Sequence, residues 1–112
     1  MSIEVTLDDL PDEIARRSFC YLLTVSDDDR PHAVALRAVA DGDVLRLEAG
    51  TGRASRNAVD RPHVTLLFPP IPDGASPEGF TLVVDGEATV DGPYVDVRPS
   101  WAVLHRAAPG TG

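Results

Sequence analysis

Short runs of alternating apolar and polar residues, separated by turn-forming residues, constrain the fold of this chain more than any other feature. The clearest run is VLRLEA at 44–49, where Leu45 and Leu47 would face a core while Arg46 and Glu48 would face solvent. An Asp-Gly pair, typical of hairpin turns, comes just before it. This period of two predicts antiparallel β-structure.

Five more segments have the composition or the period of strands. The six predicted strands span residues 19–25, 32–39, 44–49, 63–68, 80–90 and 94–106. Gly86 predicts a bulge or bend inside the fifth strand, and Pro99 predicts an interruption of the sixth. Six strands with short links favour a mainly β fold, a closed or split antiparallel β-barrel.

The segments between the strands predict two short helices and one long loop. Asp residues, an early proline and closing arginines favour a helix at 8–18. Residues 53–60 allow a second helix, which Arg61-Pro62 would end because the residue before proline avoids the α region. The proline-rich segment 69–79 is predicted to be a loop.

Length and composition bound the class of protein. A chain of 112 residues predicts one domain, 1–112, with a frayed tail at 107–112. Its 43% hydrophobic and 25% charged residues are typical of a globular domain. No apolar run approaches the roughly 20 residues of a membrane span, and the acidic N-terminus lacks a signal-peptide layout, so we expect a cytoplasmic protein. The lone Cys20 is expected to be buried.

The charge distribution excludes some partners and suggests another. A net charge of -8 argues against binding nucleic acid or an anionic membrane. Between Arg30 and Leu66, however, six arginines stand against four acids. Such a locally basic segment is where a small anion could bind.

The stretch TGRASRNA, residues 51–58, is the strongest candidate for an anion site. It lies where a predicted strand gives way to a helix, so backbone N–H groups at the helix start are free to bind an anion. Thr51 and Ser55 offer hydroxyl donors, while Arg53 and Arg56 offer guanidinium groups that suit phosphate. The pattern is neither a Walker motif nor GxGxxG, and a hydroxyl before a helix is also an ordinary cap. From these residues alone, a phosphate site and a capped helix start both stay open.

The histidines and the large aromatic residues give weaker indications of function. His32, His63 and His105 lack metal-ligand spacing and no Ser-His-Asp arrangement can be argued, so we predict no metal and name no catalytic side chain. Trp101 and Tyr94 are expected in the core or at a subunit interface, in preference to the alternative of stacking on the ring of a bound ligand, because large aromatics chiefly supply buried area.

Three segments in order, LLTVSDDDRPHAVALRAV, VLRLEAGTGRASRNAVDRPHVTLLF and FTLVVDGEATV, resemble the pyridoxamine 5'-phosphate oxidase-like family of flavin-binding split barrels. Members of that family have, in order, a strand, the motif D-G-x-P-H, a strand, a hairpin, a strand, the motif T-x-x-x-S-(K/R), a short helix ending at x-P-x-V, a strand, and a strand with G-x-A. The resemblance covers about residues 8–106. Each motif is loose, and the ordered set carries the likeness.

The resemblance implies a six-stranded split barrel that forms a homodimer with FMN, or alternatively a deazaflavin, held between subunits. Thr51, Ser55 and Arg56 match the motif that holds the cofactor phosphate, and Arg53 lies inside the same loop. Arg37 matches a position that presents a basic side chain or backbone groups to the cofactor; it reads equally well as a surface arginine. The implied function is that of an FMN-dependent oxidoreductase with an unidentified small-molecule substrate.

Two departures limit that implication. Arg56 stands where the family usually has lysine, and the chain ends soon after the sixth strand, so we do not expect pyridoxamine phosphate oxidation itself. The alternatives are a protein that binds flavin, deazaflavin or haem without turnover, and a ligand-free dimeric interaction module.

Overall fold

The computed structural model describes residues 1–71 and 79–107, which form eight strands and two helices. The strands are β1 (Ser2–Val5), β2 (Cys20–Val25), β3 (Pro31–Leu36), β4 (Ala38–Asp41), β5 (Val44–Glu48), β6 (His63–Phe68), β7 (Thr81–Asp91) and β8 (Tyr94–His105). The helices are α1 (Leu10–Ala15) and α2 (Arg53–Asp60). Neither described helix is long and apolar enough to cross a membrane.

All strand pairs are antiparallel and belong to one sheet, in the order β3-β2-β6-β7-β8-β5-β4, with β1 added to β8. The long strand β8 pairs with β7 on one side, and with β5 and then β1 on the other. The two strands at the ends of this order, β3 and β4, are consecutive in the chain and separated only by Arg37. The sheet therefore curls round on itself, and the predicted mainly β, split-barrel fold is confirmed.

The strand count rises from the predicted six to eight for two reasons. Strand β1 was not predicted although Ser2–Val5 alternates polar and apolar residues; it is four residues long and buries only Val5. The predicted strand 32–39 is two strands, because the chain leaves β2 and joins β5 at Arg37. Helix α1 is also shorter than the predicted 8–18. The predicted loop at 69–79 and tail at 107–112 lie mainly outside the described residues, at 72–78 and 108–112.

The core is built from the inward side chains of the strands, as the period of two predicts. Fully buried leucines and valines contributed by β2, β5, β6, β7 and β8 form its centre: Leu22, Leu47, Leu66, Leu82 and Val97. Cys20 is buried as expected, and its burial raises the pKa of the thiol to about 12. It is therefore a core residue and not a nucleophile.

A bulge between β7 and β8 reverses which residues of β8 face inward. Asp85 pairs with Trp101 but Gly86 pairs with Pro99, so Ser100 is the extra residue. Strand β8 continues through Pro99, contrary to the predicted interruption, while the predicted bulge at Gly86 is confirmed. Before the bulge Val95 and Val97 are buried, and after it Ala102 and Leu104 are.

Helix α2 begins and ends where the sequence predicts. It packs against β2, β3, β7 and β8, and its inward face buries the small residues Ala54 and Ala58. The chain leaves the helix at Arg61, whose backbone is outside the α region as expected before Pro62.

Candidate functional site

The turn before α2 ends at a helix start that has no side-chain cap. Gly50 adopts a positive φ of 71°, and Gly52 at the N-cap position has no side chain to accept from the first helical turn. The first intrahelical bond there is donated by the N–H of Arg56 to the oxygen of Gly52, at 3.1 Å. The N–H groups before Arg56 have no intrahelical acceptor, and they lie at the positive end of the helix dipole.

Ser55 holds this turn in place. Its side chain is buried, with 5% of the residue exposed, and its Oγ donates to the oxygen of Gly50 at 2.6 Å. Thr51, by contrast, is exposed at the turn. The Ser55 hydroxyl would have to rotate away from Gly50 to donate to a ligand.

Arg53 and Arg56 line one cleft of about 370 Å³ between α2 and the β2–β3 turn. Two of the acids in this cleft are paired with arginines: Asp27 with Arg61 at 3.0 Å, and Asp28 with Arg30 at 3.6 Å. This pairing leaves Arg53, Arg56 and the exposed Asp60 as the charged side chains of the cleft without an ion pair among the described residues.

Ion pairing separates the ten arginines of the chain into two groups. Seven have an ion pair, a hydrogen bond or a ring contact in the described parts: Arg16, Arg17, Arg30, Arg46, Arg61, Arg98 and Arg106. The side chains of Arg37, Arg53 and Arg56 have none among residues 1–71 and 79–107. These three are the arginines that the sequence places at a cofactor site.

The structure brings Arg53 and Arg56 together but puts Arg37 elsewhere. Arg37 is exposed at the junction of β3 and β4. It lines a second cavity of about 630 Å³, together with Arg17, Arg46 and Tyr94. The three predicted arginines thus border two separate cavities, and Thr51 and Ser55 line neither of them.

Sequence reasoning missed Asn57, which ties α2 to the sheet. Asn57 is buried, and its Nδ2 donates to Thr24 Oγ1 at 3.1 Å and to Ser26 Oγ at 3.2 Å. The available signal was spacing, because Asn57 shares the inward face of the helix with Ala54 and Ala58. This contact fixes the helix start relative to the β2–β3 turn that forms the other wall of the cleft.

The remaining candidates have structural surroundings. Trp101 is 44% exposed, so the structure excludes the core position that was one of its two expected places. Tyr94 is half-buried, and the Arg46 guanidinium carbon lies 4.4 Å from its ring centroid. Among the described residues, no three histidine, cysteine or acidic side chains are grouped so that they could hold a metal.

The fold places this protein in the class of small antiparallel split barrels. Its candidate site lies at the start of the short helix α2, where Arg53 and Arg56 have no ion pair among the described residues. The sequence profile of the pyridoxamine 5'-phosphate oxidase family matches residues 7–102. The chain therefore belongs to that family.

Comparisons with individual proteins agree with this assignment. An uncharacterised protein of Mycobacterium bovis is 39% identical, over 80% of this chain and 72% of its own length. The solved structure of an F420 reductase is 20% identical and has a TM-score of 0.63, covering 81% of this chain and 94% of its own. That of the FAD-binding protein from Mycobacterium smegmatis is 16% identical and has a TM-score of 0.64, covering 95% of this chain and all of its own (100%). At these identities, the two structures show a shared fold.

Proposed function

We propose that this protein binds a flavin, with FMN as the expected form, and uses it as an oxidoreductase acting on a small molecule. The observation that carries the proposal is that Arg37, Arg53 and Arg56 have no partner in the described residues, while the other seven arginines do. A fold that pairs its structural arginines and leaves these three free has positive charge available for a ligand.

The phosphate would bind at the turn before α2. Arg53 and Arg56 would contact its oxygens, and the free N–H groups of the first turn and the Thr51 hydroxyl would donate to them. Ser55 would keep the turn in shape through its bond to Gly50. Arg37 would approach the cofactor from the β3–β4 junction. Bound flavin would supply hydride chemistry, and the protein would bind it, orient it and exclude water.

A homodimer is part of the proposal and is supported by an apolar outer face. We define the outer face as the outward side chains of neighbouring strands Tyr21, Leu23, Ala33, Ala35, Leu67 and Trp101. Tyr21 and Trp101 are 38% and 44% exposed. Thr65 and Asp85, the polar residues between them, satisfy each other through a 2.7 Å hydrogen bond. Exposed apolar patches of this kind mark contact surfaces, and a second copy of this chain fits an unpartnered apolar sheet face.

Titration of purified, cofactor-free protein with FMN tests the proposal. We expect saturable quenching of FMN fluorescence, from which a dissociation constant is obtained. A parallel titration with a deazaflavin establishes which ring is preferred. The double variant Arg53→Gln with Arg56→Gln should weaken FMN binding by at least about 100-fold, because each lost charge-assisted contact costs roughly 1.5–3 kcal/mol.

The matched control is Arg98→Gln, which removes an exposed arginine that does not line this cleft. Equal FMN affinity for the control and the double variant would refute the phosphate site. Failure of the wild-type protein to bind either flavin would refute the proposed cofactor. Reduction of bound flavin by a nicotinamide cofactor then separates an enzyme from a carrier. The cytoplasmic location stays a prediction from the sequence.

A further inference from the structure

The chain contains four Asp-Gly pairs, a dipeptide whose backbone can rearrange. Three of them lie among the described residues, at 41–42, 85–86 and 91–92, and the fourth, at 73–74, lies outside. In such a pair the glycine nitrogen attacks the aspartate Cγ, since glycine has no Cβ to hinder the approach. An N–Cγ bond forms, and the N–H proton leaves with the carboxyl hydroxyl as water. Hydrolysis of the resulting succinimide takes that water back and gives aspartate or isoaspartate.

Two of these pairs begin turns of the same geometry. Gly42 and Gly92 each open a two-residue hairpin turn with a positive φ, of 62° and 57°. Neither glycine N–H donates a hydrogen bond to any described residue. The preceding Asp41 and Asp91 are both exposed. Local sequence and turn shape therefore give the two pairs equal access to the reaction, and the surrounding fold has to decide between them.

The turn at Asp91 is held by contacts on both sides. It joins β7 and β8, which are 11 and 12 residues long, and β7 also pairs with β6. The oxygen of Pro93 accepts the N–H groups of Ala49 and Gly50 at 2.9 and 3.0 Å. The Asp91 carboxylate lies 3.3 Å from Arg46 Nη2. Ring closure at Asp91 has to break these contacts together.

The turn at Asp41 is held more weakly. Strand β4 is four residues long, ends the sheet order and pairs with β5 alone, and Ala38 is its one half-buried residue. Asp43 in the turn pairs with Arg98, but both side chains are exposed, and an exposed ion pair stabilises little. The Asp41 carboxylate makes no hydrogen bond or ion pair with the described residues. Local opening of this hairpin is therefore the less costly of the two.

The third described pair is closed to the reaction by the sheet. Asp85 Oδ1 accepts the Thr65 hydroxyl at 2.7 Å. Gly86 is buried, and the backbone oxygen of Arg98 approaches it so closely that it leaves no room for an added atom. Attack by the Gly86 nitrogen would have to open the centre of the sheet.

We infer that Asp41 is a modification site of this protein, which isomerises to isoaspartate ahead of Asp85 and Asp91. Isoaspartate carries the backbone through the former side chain, which adds one carbon to the main chain of β4. The register between Asp41 and Val44 is then lost at the turn. The change also alters the wall of the cavity that Arg37 lines.

Peptide mapping of the full chain, aged at physiological temperature and pH, tests the inference. Trypsin cleaves after arginine, so it releases the peptide 38–46, in which Asp41 is in the one Asp-Gly pair. Chymotrypsin, which cleaves after aromatic residues, releases 81–94 with the pairs at Asp85 and Asp91. Chromatography separates the isoaspartyl form of each peptide, and electron-transfer fragmentation identifies it. The same incubation in guanidinium chloride gives the rate for each peptide in the unfolded chain.

Relative to its own rate in the unfolded chain, 38–46 should isomerise at least about tenfold faster than 81–94 in the folded protein. Asp41→Glu should remove the isomer from 38–46, because a longer side chain closes the ring less readily. Asp91→Glu, the matched control, should leave the rate at 38–46 unchanged. Equal relative rates for the two peptides, or a faster one for 81–94, would overturn the inference. These rates are measured without cofactor, so they are independent of whether the protein binds FMN.

Discussion

At the scale of single residues, the use of an arginine depends on which strand lies beside it in the fold. Arg46 is an outward-facing residue of β5, and the sequence pattern predicts that it is exposed to solvent. In the structure it donates hydrogen bonds to Asp96 of β8, fifty positions away. The cation also lies over the Tyr94 ring. No local pattern contains this information, because the pairing comes from strand register.

The Arg46–Asp96 pair makes a pH-dependent contribution to stability. The hydrogen bond from Arg46 lowers the pKa of the Asp96 carboxyl below its ordinary value of 3.8. A carboxyl with a lowered pKa stabilises the fold above its unfolded-state pKa, and this contribution is lost as the pH falls through the folded-state value. Below about pH 4, the thermal unfolding midpoint of the wild type should therefore fall more steeply than that of Asp96→Asn.

The same comparison at pH 7 should find Asp96→Asn less stable than the wild type. Glu87→Gln, which neutralises an exposed acid on β7, serves as the control and should follow the wild-type pH profile. Parallel curves for the wild type and Asp96→Asn across the acid range would contradict the role given to the pair.

At the scale of secondary-structure elements, the bulge at Gly86 determines the direction of Trp101. Val97 and Ala102 both face inward although they are an odd number of residues apart, so the extra residue at Ser100 has shifted the phase. Without it, Trp101 would face the core in place of the outer face. A glycine is needed here because a Cβ at Gly86 would lie 2.7 Å from Val97 Cγ1, and closer still to the oxygen of Arg98.

Gly86→Ala should lower the free energy of unfolding by about 1–3 kcal/mol, since the added methyl group meets backbone atoms that cannot move aside cheaply. Urea unfolding followed by Trp101 fluorescence measures the change. Thr89→Ala, an exposed substitution on the same strand, should stay within about 0.5 kcal/mol of the wild type. Equal effects of the two substitutions would mean that β8 does not approach Gly86 so closely.

Alternation and turn residues predicted most of the elements, and the exceptions have physical reasons. Strands β5 and β6 and helix α2 carry strong local signals, so their predicted and observed bounds nearly coincide. The N-terminal strand β1 has one buried residue and depends on β8 for its structure. The division of β3 from β4 at Arg37 reflects a change of partner strand, which a single segment does not encode. At the site, the residue types of 51–58 predicted an anion. That Ser55 is buried and bonded to Gly50 is visible only in the folded chain.

At the scale of the whole molecule, the outer face predicts the assembly. Trp101→Glu places a charge on the β8 side of this apolar surface and should weaken the proposed dimer at least about thirtyfold, corresponding to the roughly 2 kcal/mol of an aromatic hot spot. Sedimentation velocity over a range of protein concentrations measures the dissociation constant.

Val59→Glu is the matched control, because Val59 is 64% exposed on α2 and lies outside the outer face. A dimer that tolerates Trp101→Glu but not Val59→Glu would move the interface to the helix side of the barrel. A wild-type chain that is monomeric at every concentration would refute the dimer.

Among the described strands, β8 is the one that pairs with three others, namely β7, β5 and β1. A nascent chain that stops before Tyr94 therefore has three strands with unpaired edges and no partner for them. Such edges promote pairing between chains, so a chain whose synthesis stops before Tyr94 is exposed to aggregation.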